Sequence, residues 1–205
     1  LRRDLQRDGV HALAHLGPAV THLDPSARVA DGGEQPDDRL RHLAEAVAEA
    51  GLLRIDAFTL TPRANFRIRA RVLSREDYYL GDESDLSPVD LALGWGVMSD
   101  QAVLDRIDIS QGSRWYFTRY EHPAPISDGQ IIRHSANMHL IPANDWVADK
   151  LDDIRASDLV QLRGQLVDVD RADGFYWRTS MTREDTGNGS CELFYVEHVH
   201  IEPRG

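Results

Sequence analysis

Residues 66–74 read F-R-I-R-A-R-V-L-S, with apolar and basic side chains in strict alternation from Phe66 to Val72. A period of two is the signature of an extended strand with one buried face. Phe66, Ile68, Ala70 and Val72 point to one side, and Arg67, Arg69 and Arg71 to the other. Further strands are expected at residues 53–60, at 113–120 (S-R-W-Y-F-T-R-Y) and at 131–141, the last with a break near Ser135. Another spans 158–170, where the central Gly164 points to a bend or bulge, and two more lie at 175–181 and 191–201. Residues 144–154 (N-D-W-V-A-D-K-L-D-D-I) predict a capped helix with Trp146, Val147, Leu151 and Ile154 inward.

Strand, strand, strand, helix, strand, strand is the order of an OB-fold. The expected fold class is therefore α+β, an OB-like small antiparallel β-barrel with a helix between strands three and four. An antiparallel α+β domain of another topology is the alternative. Residues 75–112 are less regular and are expected as an insertion, with Ser87-Pro88 starting one helical turn and Ser99 capping another. Residues 37–50 form the best helical pattern: Asp37 caps it, Leu40, Leu43, Ala44 and Val47 make the stripe, and Gly51 ends it. Two units are expected, a helical N-terminal extension over 1–51 and the barrel domain over 52–205.

Composition narrows the function classes. The chain has 205 residues, 41% of them hydrophobic, which suffices for a packed core. Its net charge of −11 weighs against nucleic-acid binding, which needs a basic footprint. The single cysteine, Cys191, excludes an internal disulfide framework. No apolar run is long enough to cross a membrane, but the chain starts at Leu1, so an upstream segment is expected to be missing.

Several long motifs stand out: S-D-L-S-P-V-D-L-A-L-G-W-G-V-M-S-D (84–100), R-W-Y (114–116), H-S-A-N-M-H-L-I-P (134–142) and D-T-G-N-G-S-C-E-L (185–193). On these the region from about 58 to 201 resembles a family of uncharacterised bacterial proteins, many with an N-terminal membrane-spanning segment. The resemblance implies an extracytoplasmic, membrane-tethered domain and carries no activity with it.

The candidate chemistry centres on residues 133–142. Alternation puts Ser135, Asn137 and His139 on one face, expected as an exposed polar row, and Ala136, Met138 and Leu140 on a core face. Ser135 and His139 lie ~13 Å apart on a strand, too far for a nucleophile and its base. A carboxylate and histidine pocket would draw on His134, His139, Asp185 and Glu192. Arg114, Trp115, Ser135, Asn137, Arg178 and Arg183 are the candidate ligand-binding residues, through anion clamping and stacking. His139, His198 and His200 are candidate ligands for a divalent metal, since His198 and His200 share one strand face. Cys191 reads as a small buried residue. The arginine row at 67, 69 and 71 reads either as a solvated face paired with acids or as part of an aromatic groove. The leading expectation is a binding or scaffolding module of the bacterial envelope that recognises a protein or envelope ligand. A hydrolase, metal-dependent or not, is second and nucleic-acid binding third.

Overall fold

The computed structural model describes residues 51–182 and 191–203, together with the backbone of His11–Ala12. The expected helix at 37–50, and nearly all of the 1–51 extension, lie outside the described residues. The elements are β1 (His11–Ala12), β2 (Leu53–Ile55), β3 (Phe58–Asp77), α1 (Asp82–Leu86), β4 (Val89–Gly94), a 3-10 turn (Gly96–Ser99), α2 (Gln101–Leu104), β5 (Asp108–Gly112), β6 (Trp115–Arg119), α3 (Asp128–His134), β7 (Ser135–Pro142), α4 (Asp145–Asp152), β8 (Leu159–Arg171), β9 (Tyr176–Trp177) and β10 (Glu192–Ile201). The chain is α+β, dominated by one large sheet.

The alternating segment lies within β3, a strand of 20 residues. It pairs antiparallel with β8 from Phe58 to Arg71, then with β4 from Arg71 to Asp77. Irregularities near Arg63 and Leu73 let this one strand serve two neighbours. The hydrogen-bonded order β3, β4, β7, β10, β8 therefore returns to β3 as a closed ring. Every pairing is antiparallel except β7 with β10, which is parallel. The expected strand at 53–60 is instead a tight hairpin, β2 and the start of β3, turning at Asp56 with φ 48°.

The apolar alternates of the ring strands converge inside it. Phe66, Ile68, Leu91, Leu93, Met138, Leu140, Leu162 and Phe194 form that core. Helix α4 closes it with Val147 and Leu151, followed by Ile154. Trp146, expected inward, is 56% exposed. Val147, Leu151 and Ile154 are spaced i, i+4, i+7, and Trp146 sits about 100° round the helix from that stripe.

Gly164 shows why β8 carries a glycine. A Cβ there would stand 1.9 Å from the Tyr195 carbonyl oxygen. The approach comes from a bulge in β10, where register slips between Val196 and His198. Beyond it the strand's parity reverses, so Val199 and Ile201 pack on the core while His198 and His200 face solvent.

Residues 75–112 hold a ring strand rather than only an insertion. V-D-L-A-L-G, expected to follow a helix start at Ser87-Pro88, is β4, completely buried between β3 and β7. Proline at a first helical position is equally at home one residue before a strand, and the alternation Val89, Leu91, Leu93 decides it. Asp100 rather than Ser99 caps α2, accepting from the Ala102 N–H. The aromatic strand at 113–120 lies outside the ring. It is β6, paired with β5 and β1 in a second, three-stranded sheet. With α3, this sheet covers the outer face of β4 through Ala92, Met98, Ile107, Tyr116 and Ile131. Among the described residues no helix is long and apolar enough to cross a membrane.

Candidate functional site

The predicted polar row does share one face of β7, but that face is buried. Ser135, Asn137 and His139 are at most 2% exposed. The second sheet lies over them, a long-range contact that strand periodicity cannot reveal. Ser135 is structural: its hydroxyl donates to the Ile131 carbonyl across the end of α3.

Burial forces the remaining polar groups to satisfy one another. Asp90 on β4 sits directly opposite His139 in the β4–β7 register and is fully buried. Its Oδ1 accepts from Arg114 Nη1 at 2.8 Å and its Oδ2 from Asn137 Nδ2 at 3.3 Å. His139 Nδ1 lies 2.9 Å from Oδ2, at ion-pair distance but angled off a hydrogen-bond line. Gln111 on β5 donates to the Asn137 side-chain oxygen at 2.7 Å.

Arg114 enters from the turn joining β5 and β6. Ser113 and Arg114 have φ 52° and 68°, the paired left-handed conformation of a two-residue hairpin turn. Neither is glycine, so the turn carries strain offset by what Arg114 gains. Its guanidinium lies 3.7 Å from the Tyr78 ring centroid, and its N–H donates to the Tyr78 hydroxyl at 2.9 Å. Its carbonyl accepts from Asn137 at 3.2 Å and from Cys191 Sγ at 3.8 Å. Arg114 Nη2 is buried with no partner among the described residues. Burial pushes the Tyr78 hydroxyl up to about 12, and the Asp90 charge adds to the effect.

These groups back a pocket of about 260 Å³. Arg114, Trp115 and Ser113 form one wall, Trp177, Arg178 and Cys191 another, with His139 and Glu83 completing the lining. Trp177 packs on the His139 ring with centroids 4.7 Å apart. Arg178 is anchored by the Val169 carbonyl and Asp170. A larger hollow of about 520 Å³ lies near Arg75 and Asp152. There the Arg75 guanidinium is already bound by Asp77, Asp152 and backbone carbonyls, so it offers less to a ligand.

Of the predicted site residues, the pocket unites His139, Arg114, Trp115 and Arg178, with Asn137 behind them. The expected carboxylate and histidine quartet does not assemble among the described residues. Glu192 pairs with Met138, so it points into the ring, away from the face that carries His139. His134 ends α3, with Nδ1 2.8 Å from the Gln130 carbonyl. Asp185 and Arg183 lie outside the described residues. The histidine metal set does not form either. Leu193 is the partner of His139, and His198 stands five residues further along β10, ~16 Å away. Among the described residues no three His, Cys, Asp or Glu side chains gather as a ligand set.

Asp90 and Tyr78 were not anticipated. A lone aspartate inside V-D-L-A-L was the available signal, since a carboxylate in an apolar strand must find a partner. Comparison with protein-family models, curated proteins and solved structures finds no match to this chain.

Proposed function

We propose that the chain is a binding module on an OB-like barrel, and that the pocket receives an acid-bearing end group of its ligand. Five ring strands with a helix between the third and fourth support the OB-like reading. OB barrels bind on strands two and three and on the loops after strands one and four. Here those parts are β4 and β7, the loop holding Glu83, and the segment holding Trp177, Arg178 and Cys191. β7 through His139 and the two connecting segments line one pocket, with Asp90 of β4 behind it, and this convergence is the observation that carries the proposal.

The β5–β6 hairpin sits over the same face and narrows it, which suits an end group rather than a polynucleotide track. Arg114 Nη2 calls for an acceptor oxygen, and the two tryptophans suit a planar neighbour to it. The motif resemblance supports an envelope setting with a membrane tether and a protein or envelope ligand.

Calorimetric titration with a panel of small aromatic carboxylates, phosphates and sulfonates tests this. Saturable binding to the wild type, lost in the double variant Asp90→Leu/Arg114→Met, which leaves no buried charge unpaired, is expected. No binding from any member, or equal binding by the variant, overturns it. One observation favours hydrolysis as a second reading: Cys191 and His139 line one pocket with Asp90 behind them, residue types suited to thiol acyl transfer. Turnover of a small aryl ester separates the two: a thiol hydrolase shows it in the wild type and loses it in Cys191→Ala, whereas a binding module shows none.

A further inference from the structure

On the outer face of the ring, far along β10 from the pocket, Arg67 of β3 is directly opposite Arg163 of β8, and Arg163 is opposite His198 of β10. The three side chains form one row across adjacent strands, ~10 Å from end to end, and all are exposed. The bulge in β10 places His198 there, because it turns the strand's outward parity onto His198 and His200.

The next row is a built-in comparison. Arg69, Gln161 and His200 are aligned in the same way, and the chain supplies them with an acid. Glu202 accepts two bonds of 2.7 Å from Arg69 and one of 3.0 Å from Gln161. Among the described residues, the side chains of Arg67, Arg163 and His198 have neither a hydrogen bond nor an ion pair. Like charges directly opposite on a sheet repel, and this chain has 34 acidic against 23 basic residues. A bare arginine pair in so acidic a chain is a cost that an external anion would relieve.

The row is flanked on its other side by the amides of Asn65 and Gln165, which are themselves a register pair. The third member of that row is Tyr195, whose ring packs on the cluster of Ile141 and Leu193 instead of standing open for a base to stack on, and the neighbouring row is already satisfied by a carboxylate, that of Glu202. Carboxylates meet guanidinium forks directly. We propose that the row formed by Arg67, Arg163 and His198 docks a short acidic segment of a protein partner, independently of the pocket.

Fluorescence anisotropy tests this with labelled hexaglutamate, hexaglutamine and a hexathymidylate strand on the whole chain. Hexaglutamate binding is expected to saturate, weaken with salt and fall roughly ten-fold in Arg67→Glu or Arg163→Glu. The double variant Asp90→Leu/Arg114→Met, which leaves no buried charge unpaired, is expected to bind the peptide like the wild type, and this separates the site from the pocket. Both charge reversals sit on exposed positions, and an unchanged thermal melt confirms folding. Hexaglutamate binding that ignores both reversals, hexaglutamine binding equally well, hexathymidylate binding more tightly, or no binding at all overturns the proposal.

Discussion

Replacing Asp90 with leucine should be among the most damaging changes to this domain. Asp90 has no exposure and compensates Arg114, whose side chain is only 14% exposed. Removing one partner of a buried pair leaves the other charge uncompensated and costs about 3–5 kcal/mol. Asn137 loses an acceptor in the same step. For a domain of this size the loss corresponds to a drop of roughly 6–20 °C in Tm. Urea denaturation with the double variant Asp90→Leu/Arg114→Met sharpens the test. With neither charge present, stability should recover by about 2 kcal/mol or more over Asp90→Leu, while the pocket loses its acceptor-seeking group. The reasoning is refuted if Asp90→Leu costs under about 1 kcal/mol, or if the double variant is no more stable than the single.

Other positions give independent checks. Gly164→Ala, whose Cβ would lie 1.9 Å from a carbonyl oxygen, should destabilise by about 2 kcal/mol or more, whereas Gly112→Ala, with open space around it, should stay within about 0.5 kcal/mol in the same denaturation assay. Leu151→Ala should cost about 2–5 kcal/mol and Trp146→Ser under about 1 kcal/mol, reversing their ranking by side-chain size. Tyr78 keeps its proton to about 12 against 10.0 for the free side chain, so its contribution is complete below pH 10 and is lost as pH rises toward 12. Tyrosinate absorbance should show this late ionisation, and Asp90→Asn should move it to lower pH.

Local rules carried a good part of the fold. Alternation located β3, the capped stripe located α4, and Gly164 marked a close backbone approach. The two faces of β7 were assigned correctly, with Ala136, Met138 and Leu140 in the core. The environment of the other face was not legible, because it depends on a hairpin some 20 residues earlier folding over it. β4 was missed because a Ser-Pro dipeptide is a local helix signal, whereas the strand is held by neighbours distant in sequence. His198 and His200 do share one exposed face, but one bulge residue inverts strand parity, so it is not the face that carries Phe194 and Val196. The site suffered most. Arg114, His139 and Asp90 are 24 and 25 residues apart along the chain, and only the β4–β7 register and a left-handed turn bring them together.

The central claim is that ligand enters between the two walls that carry Trp115 and Trp177. The four tryptophans offer a direct readout, since Trp95 packs against the ring core and Trp146 lies exposed on α4. Indole N–H resonances should be followed by NMR while an aromatic carboxylate such as benzoate is added. The account predicts saturable shifts of Trp115 and Trp177 with Trp95 and Trp146 unmoved. Shifts centred on Trp146, or four resonances that ignore the acid, would contradict it.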